Sequence, residues 1–304
     1  MQISANGIRI EVEEHGSRQG EPLLLIMGLG MQLVAWQPGF VERLVRAGFR
    51  VLRFDNRDIG LSENLDRLGL PNIGVAGLRS ALGLSVRSPY RLADMALDSA
   101  GVLDAFDIER AHVCGASMGG MIAQHLAARH ADRVKSLTLV MTSSGARRLP
   151  GPSMKVRSAM LSGPRVASDL DAVVAHYVRR VRLIGSPGYP LDEAALVERL
   201  GHSVRRAFRP HGTARQMVAI AADGDRSPLL RGLRTPTHVV HGLGDPLIPP
   251  AAARDLAAKI PGASLELIDG MGHDMPAALW PRLVESIVAV AQRGEPGFRP
   301  RRSA

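Results

Sequence analysis

Apolar and polar positions change period repeatedly along the 304-residue chain, and each change marks an element. IRIEVEEH alternates with period two behind an Asn6-Gly7 turn signal, which predicts an N-terminal hairpin. PLLLIM (22–27) is apolar throughout and reads as a buried strand running into a glycine loop. FVERLVRAG (40–48) has helical period and is closed by Gly48. RVLRFD (50–55) is the next strand, with NRDIGLS as the loop after it. RLADMALDSAGVLDAF (91–106) places Leu92, Met95, Ala96, Leu103 and Phe106 on one helical face. Then come AHVCGA as a strand, MGGMIAQHLAARHADR as a helix and VKSLTLVMT as a strand. This alternation predicts an α/β class: a doubly wound, mostly parallel sheet covered by helices on both faces.

Between Gly145 and Arg231 the strand signal stops. Helical stretches take over, namely SDLDAVVAHYVRRVRLI, LDEAALVERLGHSVRRAF and TARQMVAIAA. Gly151-Pro152, Gly163-Pro164 and Ser186-Pro187-Gly188 break them apart. After Pro236 the alternation returns with THVVHG, AAARDLAAKI, SLELIDG and PRLVESIVAVAQ. The expected organisation is a core of residues 1–144 and 232–292 with an inserted helical cap over 145–231. The tail 293–304, RGEPGFRPRRSA, is expected to be disordered from its composition. No internal repeat is visible.

Composition narrows the function classes. Aromatic residues make up only 4% of the chain, so the core must be built from aliphatic residues and methionine. The single cysteine, Cys114, excludes an internal disulfide and a cysteine-cluster zinc site. MQISANGIRI has neither the basic start nor the apolar stretch of a signal peptide. No apolar run approaches the ~18 residues of a membrane helix. The expectation is a cytoplasmic protein, monomer or homodimer, with no membrane partner. A net charge of +9 raises nucleic-acid binding, but only three residues are lysine, and no zinc-finger spacing or RNA-binding aromatic motif accompanies the charge. No nucleic-acid partner is therefore expected. The charge is concentrated instead: residues 145–231 hold 15 basic and 7 acidic side chains, a surplus of 8. An arginine-rich cap offers a positive field to anionic substrates, although arginines at helical spacing also commonly face water.

The chemistry is concentrated at VCGASMGGM, where Ser117 stands between Gly115 and Gly119. A G-x-S-x-G match carries little alone; its place between a strand and a helix is that of a nucleophile elbow. A serine hydroxyl needs a base, and the base needs an acid to orient it. HGLGDPLIP places Asp245 in a loop after THVV, and DGMGHDMP places His273 in a loop after SLELI. Both sit at carboxyl ends of strands, where parallel sheets build their sites. His238 and His241 are rival bases; the first lies inside a strand, and the second is read as steadying the acid loop. Asp269 is a rival acid, but it is too near His273 along the chain to approach as a separate loop. For the oxyanion hole, Met118 can offer its backbone N–H, and the loop IMGLGM offers Leu29, with Gly30 close behind. Gly28, Gly30 and Tyr177 are candidate substrate contacts. No metal and no cofactor is expected.

These motifs together resemble the α/β-hydrolase superfamily over nearly the whole chain. MGLG, DNRDIGLS and GASMGGMIAQ look like the bacterial branch that includes the aclacinomycin methylesterases. That resemblance implies hydrolysis of a carboxylic methyl ester without a cofactor, with Ser117 as nucleophile, His273 as base and Asp245 as orienter, and a small-molecule ester as the partner. The same triad also serves C–C bond hydrolysis, amide hydrolysis and perhydrolysis, and a binding module on this fold is the non-catalytic alternative. Dehalogenases and epoxide hydrolases of this fold carry aspartate where Ser117 stands. Two features depart from the pattern. Met27-Gly28 replaces the His-Gly of many relatives, so the oxyanion loop must be braced differently. The stretch 67–88 is hard to match and is a candidate entrance lining. Asp55, Arg57 and Asp58 read as a salt-bridged loop shaping the pocket, with substrate contact the other reading. Cys114 reads as a small buried hydrophobe.

Overall fold

The computed structural model describes residues 1–163 and 169–301. Its centre is one eight-stranded sheet with spatial order β1-β2-β4-β3-β5-β6-β7-β8. β1 (Gln2–Ala5) and β2 (Ile8–His15) form the hairpin expected at Asn6-Gly7, and β2 joins the sheet antiparallel to β4 (Phe49–Phe54). β3 (Glu21–Ile26), β5 (Ala111–Ala116), β6 (Val134–Val140), β7 (Thr237–Gly242) and β8 (Ser264–Ile268) run parallel with β4.

Alternate side chains of each strand feed opposite cores, as the period of two requires. Leu24 and Ile26 of β3 pack into a core with α3 (Leu92–Ala105), α4 (Met118–Arg129) and α10 (Ala251–Lys259). Leu23 and Leu25 pack into a second core with α1 (Pro38–Arg46) and α11 (Trp280–Gly294). The face read on α3 is the buried one: Leu92, Met95, Ala96 and Leu103 are fully enclosed.

Among the described residues, five helices lie between β6 and β7. They are α5 (Met154–Leu161), α6 (Leu170–Ile184), α7 (Glu193–Arg206), α8 (Pro210–Asp223) and the single turn α9 (Ser227–Leu230). Asp169 and Asp192 cap α6 and α7 by accepting from backbone N–H groups in their first turns. These two helices share a small core of their own, in which Val173, Val174 and Val178 meet Leu196, Leu200 and Val204. α8 and α9 are instead anchored in the main core through Ala219 and Leu230.

Two sequence expectations need correction or completion. The tail is not disordered from Arg293: α11 continues to Gly294, the Phe298 ring packs 4.8 Å from that of Phe49, and Arg301 donates its N–H to Ala47. One aromatic side chain finding an apolar seat outweighs the polar composition around it. Residues 302–304 lie outside the described residues. Within the unmatched stretch 67–88, α2 (Ile73–Ala81) forms, with Asn72 as its cap, and rests on α8.

Candidate active site

The elbow is built by close backbone approach. Ser117 sits between β5 and α4 with φ 54° and ψ −119°, a conformation that L residues rarely adopt. The glycines on either side make this turn possible. A Cβ on Gly119 would lie 2.0 Å from the Ile26 carbonyl oxygen, and one on Gly115 would lie 2.4 Å from that of Gly119. The strained serine is tied down on both sides. Its N–H donates to Val140 at 2.9 Å, and Thr142 Oγ1 donates to its carbonyl at 2.6 Å.

The two downstream loops converge on it. His273 Nε2 lies 3.0 Å from Ser117 Oγ, and His273 Nδ1 lies 2.7 Å from Asp245 Oδ2. The other carboxylate oxygen of Asp245 accepts from the N–H groups of Leu247 and Ile248, both at 2.9 Å. Burial alone would raise the pKa of Asp245, but hydrogen bonds from His241 and His273 and from Ile248 N–H hold it well below the usual carboxylate range. An ionised Asp245 only accepts, so the imidazole proton belongs on Nδ1 and the Nε2 lone pair faces the serine hydroxyl.

The rivals take other places. His241 is fully buried, with Nε2 2.8 Å from the Ile248 carbonyl oxygen and 3.4 Å from Asp245 Oδ2, so it closes the turn that presents the acid. His238 bonds to Ser264, and Asp269 accepts from Gly270 N–H. Cys114 is enclosed, and burial pushes its thiol up to about 12, which removes it as a nucleophile.

Met118 N–H starts α4 and faces the dipole-positive end of that helix. Neither it nor Leu29 N–H donates to any group among the described residues, so both are free for an oxyanion. Gly30 N–H is not free: it donates to Gln216 Oε1 at 2.9 Å. Gln216, on α8 and fully buried, also donates Nε2 to the Arg57 carbonyl at 2.9 Å. Asn56 Nδ2 donates to the Met27 carbonyl at 2.8 Å. Gln216 and Asn56 thus tie down the loop that carries Met27-Gly28, consistent with the expectation that it is braced differently. Nothing in the local sequence signals Gln216, which reaches the loop from 186 residues away. Gly28 lies against the nucleophile, since a Cβ there would meet Ser117 Cβ at 3.1 Å.

Asp55, Arg57 and Asp58 are all buried and paired, which favours the structural reading of that loop. Asp55 accepts from Leu33 N–H at 2.7 Å and from Arg206 Nη1 at 2.6 Å. Arg57 grips Asp98 through two contacts of 2.6 Å, and Arg215 grips Asp58 through two of 2.8 Å. Tyr177 and Gly30 line a cavity between cap and core whose described lining includes no triad residue. Among the described residues no group of three His, Cys, Asp or Glu side chains is placed to hold a metal ion, and no helix is long and apolar enough to cross a membrane.

Comparison with known proteins agrees with the fold that carries this site. The family model described as alpha/beta hydrolase fold matches residues 21–276. Rhodomycin D methylesterase DauP of Streptomyces sp. (strain C5) is 28% identical over 310 aligned positions, covering 94% of this chain and 96% of its own. The enol-lactonase of Burkholderia xenovorans LB400 superposes with a TM-score of 0.68 at 27% identity, covering 95% of this chain and 99% of its own. The esterase EaEST of Exiguobacterium antarcticum shares the fold, with a TM-score of 0.72 at 22% identity, over 96% of this chain and 99% of its own. The likeness to bacterial methylesterases read from the motifs holds, and the chain belongs to the α/β-hydrolase fold family.

Proposed function

We propose that this protein is a serine ester hydrolase that works through an acyl-enzyme, with Ser117 as nucleophile, His273 as general base and acid, and Asp245 as orienter. The observation that carries the reading is the unbroken chain Asp245–His273–Ser117, with contacts of 2.7 and 3.0 Å made by three separate loops.

His273 takes the hydroxyl proton as Ser117 Oγ attacks the ester carbonyl. Charge then develops on the carbonyl oxygen, where the N–H groups of Leu29 and Met118 receive it. Each such donor contributes roughly 3 kcal/mol of transition-state stabilisation. The imidazolium, steadied by ionised Asp245, returns the proton to the departing alcohol. Water then enters, loses a proton to the same Nε2, and releases the acid.

Ester chemistry is favoured because a methylesterase and an enol-lactonase, whose lactone is a cyclic ester, are both similar to this chain over more than nine-tenths of its length. Carboxylic methyl esters are the substrate class to try first. Turnover of p-nitrophenyl butyrate and of a methyl-ester panel tests the proposal. Ser117→Ala is expected to lose at least ~1,000-fold in kcat. Unchanged turnover in that variant would remove Ser117 from the mechanism.

A further inference from the structure

Several arginines of the inserted helices are already partnered. Arg182 pairs with Glu193, Arg206 with Asp55, Arg215 with Asp58 and Asp66, and Arg226 with Asp223. Arg180 is spent on the carbonyls of Ala159 and Met160 at 3.0 and 2.6 Å. Arg199 on α7 and Arg209 just before α8 make no ion pair among the described residues. Both line the same cavity of about 50 Å³, between cap and core, whose wall includes Gly30, one residue beyond the proposed oxyanion donor Leu29. At ~10–15 Å³ per water measured this way, the space holds a small ligand group rather than a single solvent molecule.

No acidic side chain lines that cavity; Val34, Ile59, Leu200 and Phe208 supply much of its wall. Arg209 has one long contact, 3.4 Å to the Gly60 carbonyl. Arg199 is half-buried. Burial lowers its pKa, and the one opposing influence is the carboxylate of Asp274, the residue after the base. Arg199 thus lines the cavity and also feels the charge of Asp274 in the histidine loop. This half-buried guanidinium has lost part of its water and has no carboxylate at contact distance among the described residues. The planar fork of a guanidinium fits a carboxylate through two parallel hydrogen bonds.

We propose that this cavity is a subsite for a free carboxylate on the substrate, held by Arg199 with Arg209 in support. The preferred substrates are then small esters or lactones that carry a second, ionised acid group. This inference rests on the ester-hydrolase reading above and names the substrate class of that same site.

The test compares monomethyl adipate with methyl hexanoate, which share chain length and scissile bond and differ in one terminal carboxylate. The protein should favour the half-ester in kcat/KM. Arg199→Gln should lower the ratio of the two kcat/KM values by about 10- to 100-fold. Arg199→Lys should recover part of it, and Arg205→Gln, on the exposed side of α7, should leave the ratio as it was. A ratio unchanged in both Arg199→Gln and Arg209→Gln overturns the subsite. A second readout is independent of turnover. Calorimetric titration of the Ser117→Ala protein with monomethyl adipate should show binding that Arg199→Gln abolishes. If no ester, p-nitrophenyl butyrate included, is hydrolysed, the ester-hydrolase reading fails while the titration still decides the subsite. Absence of binding there overturns it.

Discussion

In the proposed mechanism the nucleophile, base and acid depend on each other through protonation more than through packing. Asp245 fixes which nitrogen of His273 carries the proton, and only the resulting tautomer can accept from Ser117. Asp245→Asn should therefore leave the loop standing, because an amide oxygen can still accept from Leu247 and Ile248 N–H. Its NH₂ would face Nδ1 as a donor and push the proton to Nε2. The expected loss is about 10⁴-fold in kcat at neutral pH, checked by steady-state kinetics on p-nitrophenyl butyrate. A loss below tenfold would mean that the imidazole does not depend on this carboxylate. These three residues were legible in the sequence because each follows its own strand signal and lies in a glycine-rich or proline-rich loop. Gln216, Asn56 and Arg206 were not legible. Each is an ordinary polar or charged residue, and its role exists only because a group remote in the sequence ends beside it: the Gly30 N–H, the Met27 carbonyl and the Asp55 carboxylate.

At the scale of elements, the inserted helices do more than cover the site. α8 reaches down through Gln216 to Gly30, and the end of α6 receives the N–H of His273 on the Ile184 carbonyl at 2.7 Å. One insert thus holds both the oxyanion loop and the base loop. Gln216→Leu removes the acceptor for Gly30 N–H and the donor to Arg57. It should lower kcat by roughly ten- to a hundredfold through misplaced Leu29 N–H, with a smaller effect on KM. Gln216→Glu keeps the acceptor and should retain more activity than Gln216→Leu. Equal kcat in all three proteins would show that the loop holds its shape unaided. The same helix carries Arg215, fully buried on Asp58. Arg215→Met strands a buried carboxylate and should cost about 3–5 kcal/mol in urea unfolding. The long periodic elements of the core and cap were readable from their apolar spacing. α2 was not, because only Ala76 of that helix is buried and no stripe marks it. The seat of Phe298 was not readable either, since it is formed by Phe49 and His112, both remote in sequence.

The whole molecule is a sheet buried on both faces, so polar strand side chains must be carried inside it. His112 of β5 is the clearest case. It is 1% exposed, lies 6.0 Å from the ring of Phe49 and 6.1 Å from that of Phe298, and bonds through Nδ1 to Ser136 at 2.7 Å. Burial, reinforced by the charge of Lys135, pushes its pKa down to about 3 from 6.5. Glu21 Oε1 lies 3.3 Å from Nε2, but that nitrogen makes no hydrogen bond, and Glu21 is already held by Lys135. The folded protein therefore keeps this ring neutral where the unfolded chain protonates it. Between pH 6.5 and 3 the unfolded state binds the extra proton, so stability falls as pH falls. The slope approaches about 1.4 kcal/mol per pH unit once pH is well below 6.5. Carboxylates whose folded pKa is depressed, such as Asp245 and Asp223, lose their contribution only as pH drops through their ordinary range near 3.8 and below. Burial raises the folded pKa of Asp55, Asp98 and Asp274, so these carboxylates can add to the window from pH 6.5 to 5, and subtracting a variant isolates the share of this ring. His112→Asn keeps a hydrogen-bonding side chain beside Ser136 and cannot titrate. It should be less stable than the parent at pH 7, with the gap narrowing by about 1–2 kcal/mol on going to pH 5 in urea titrations. A gap that stays constant across that range would show that the ring takes up its proton equally in both states, and that this strand does not exclude charge.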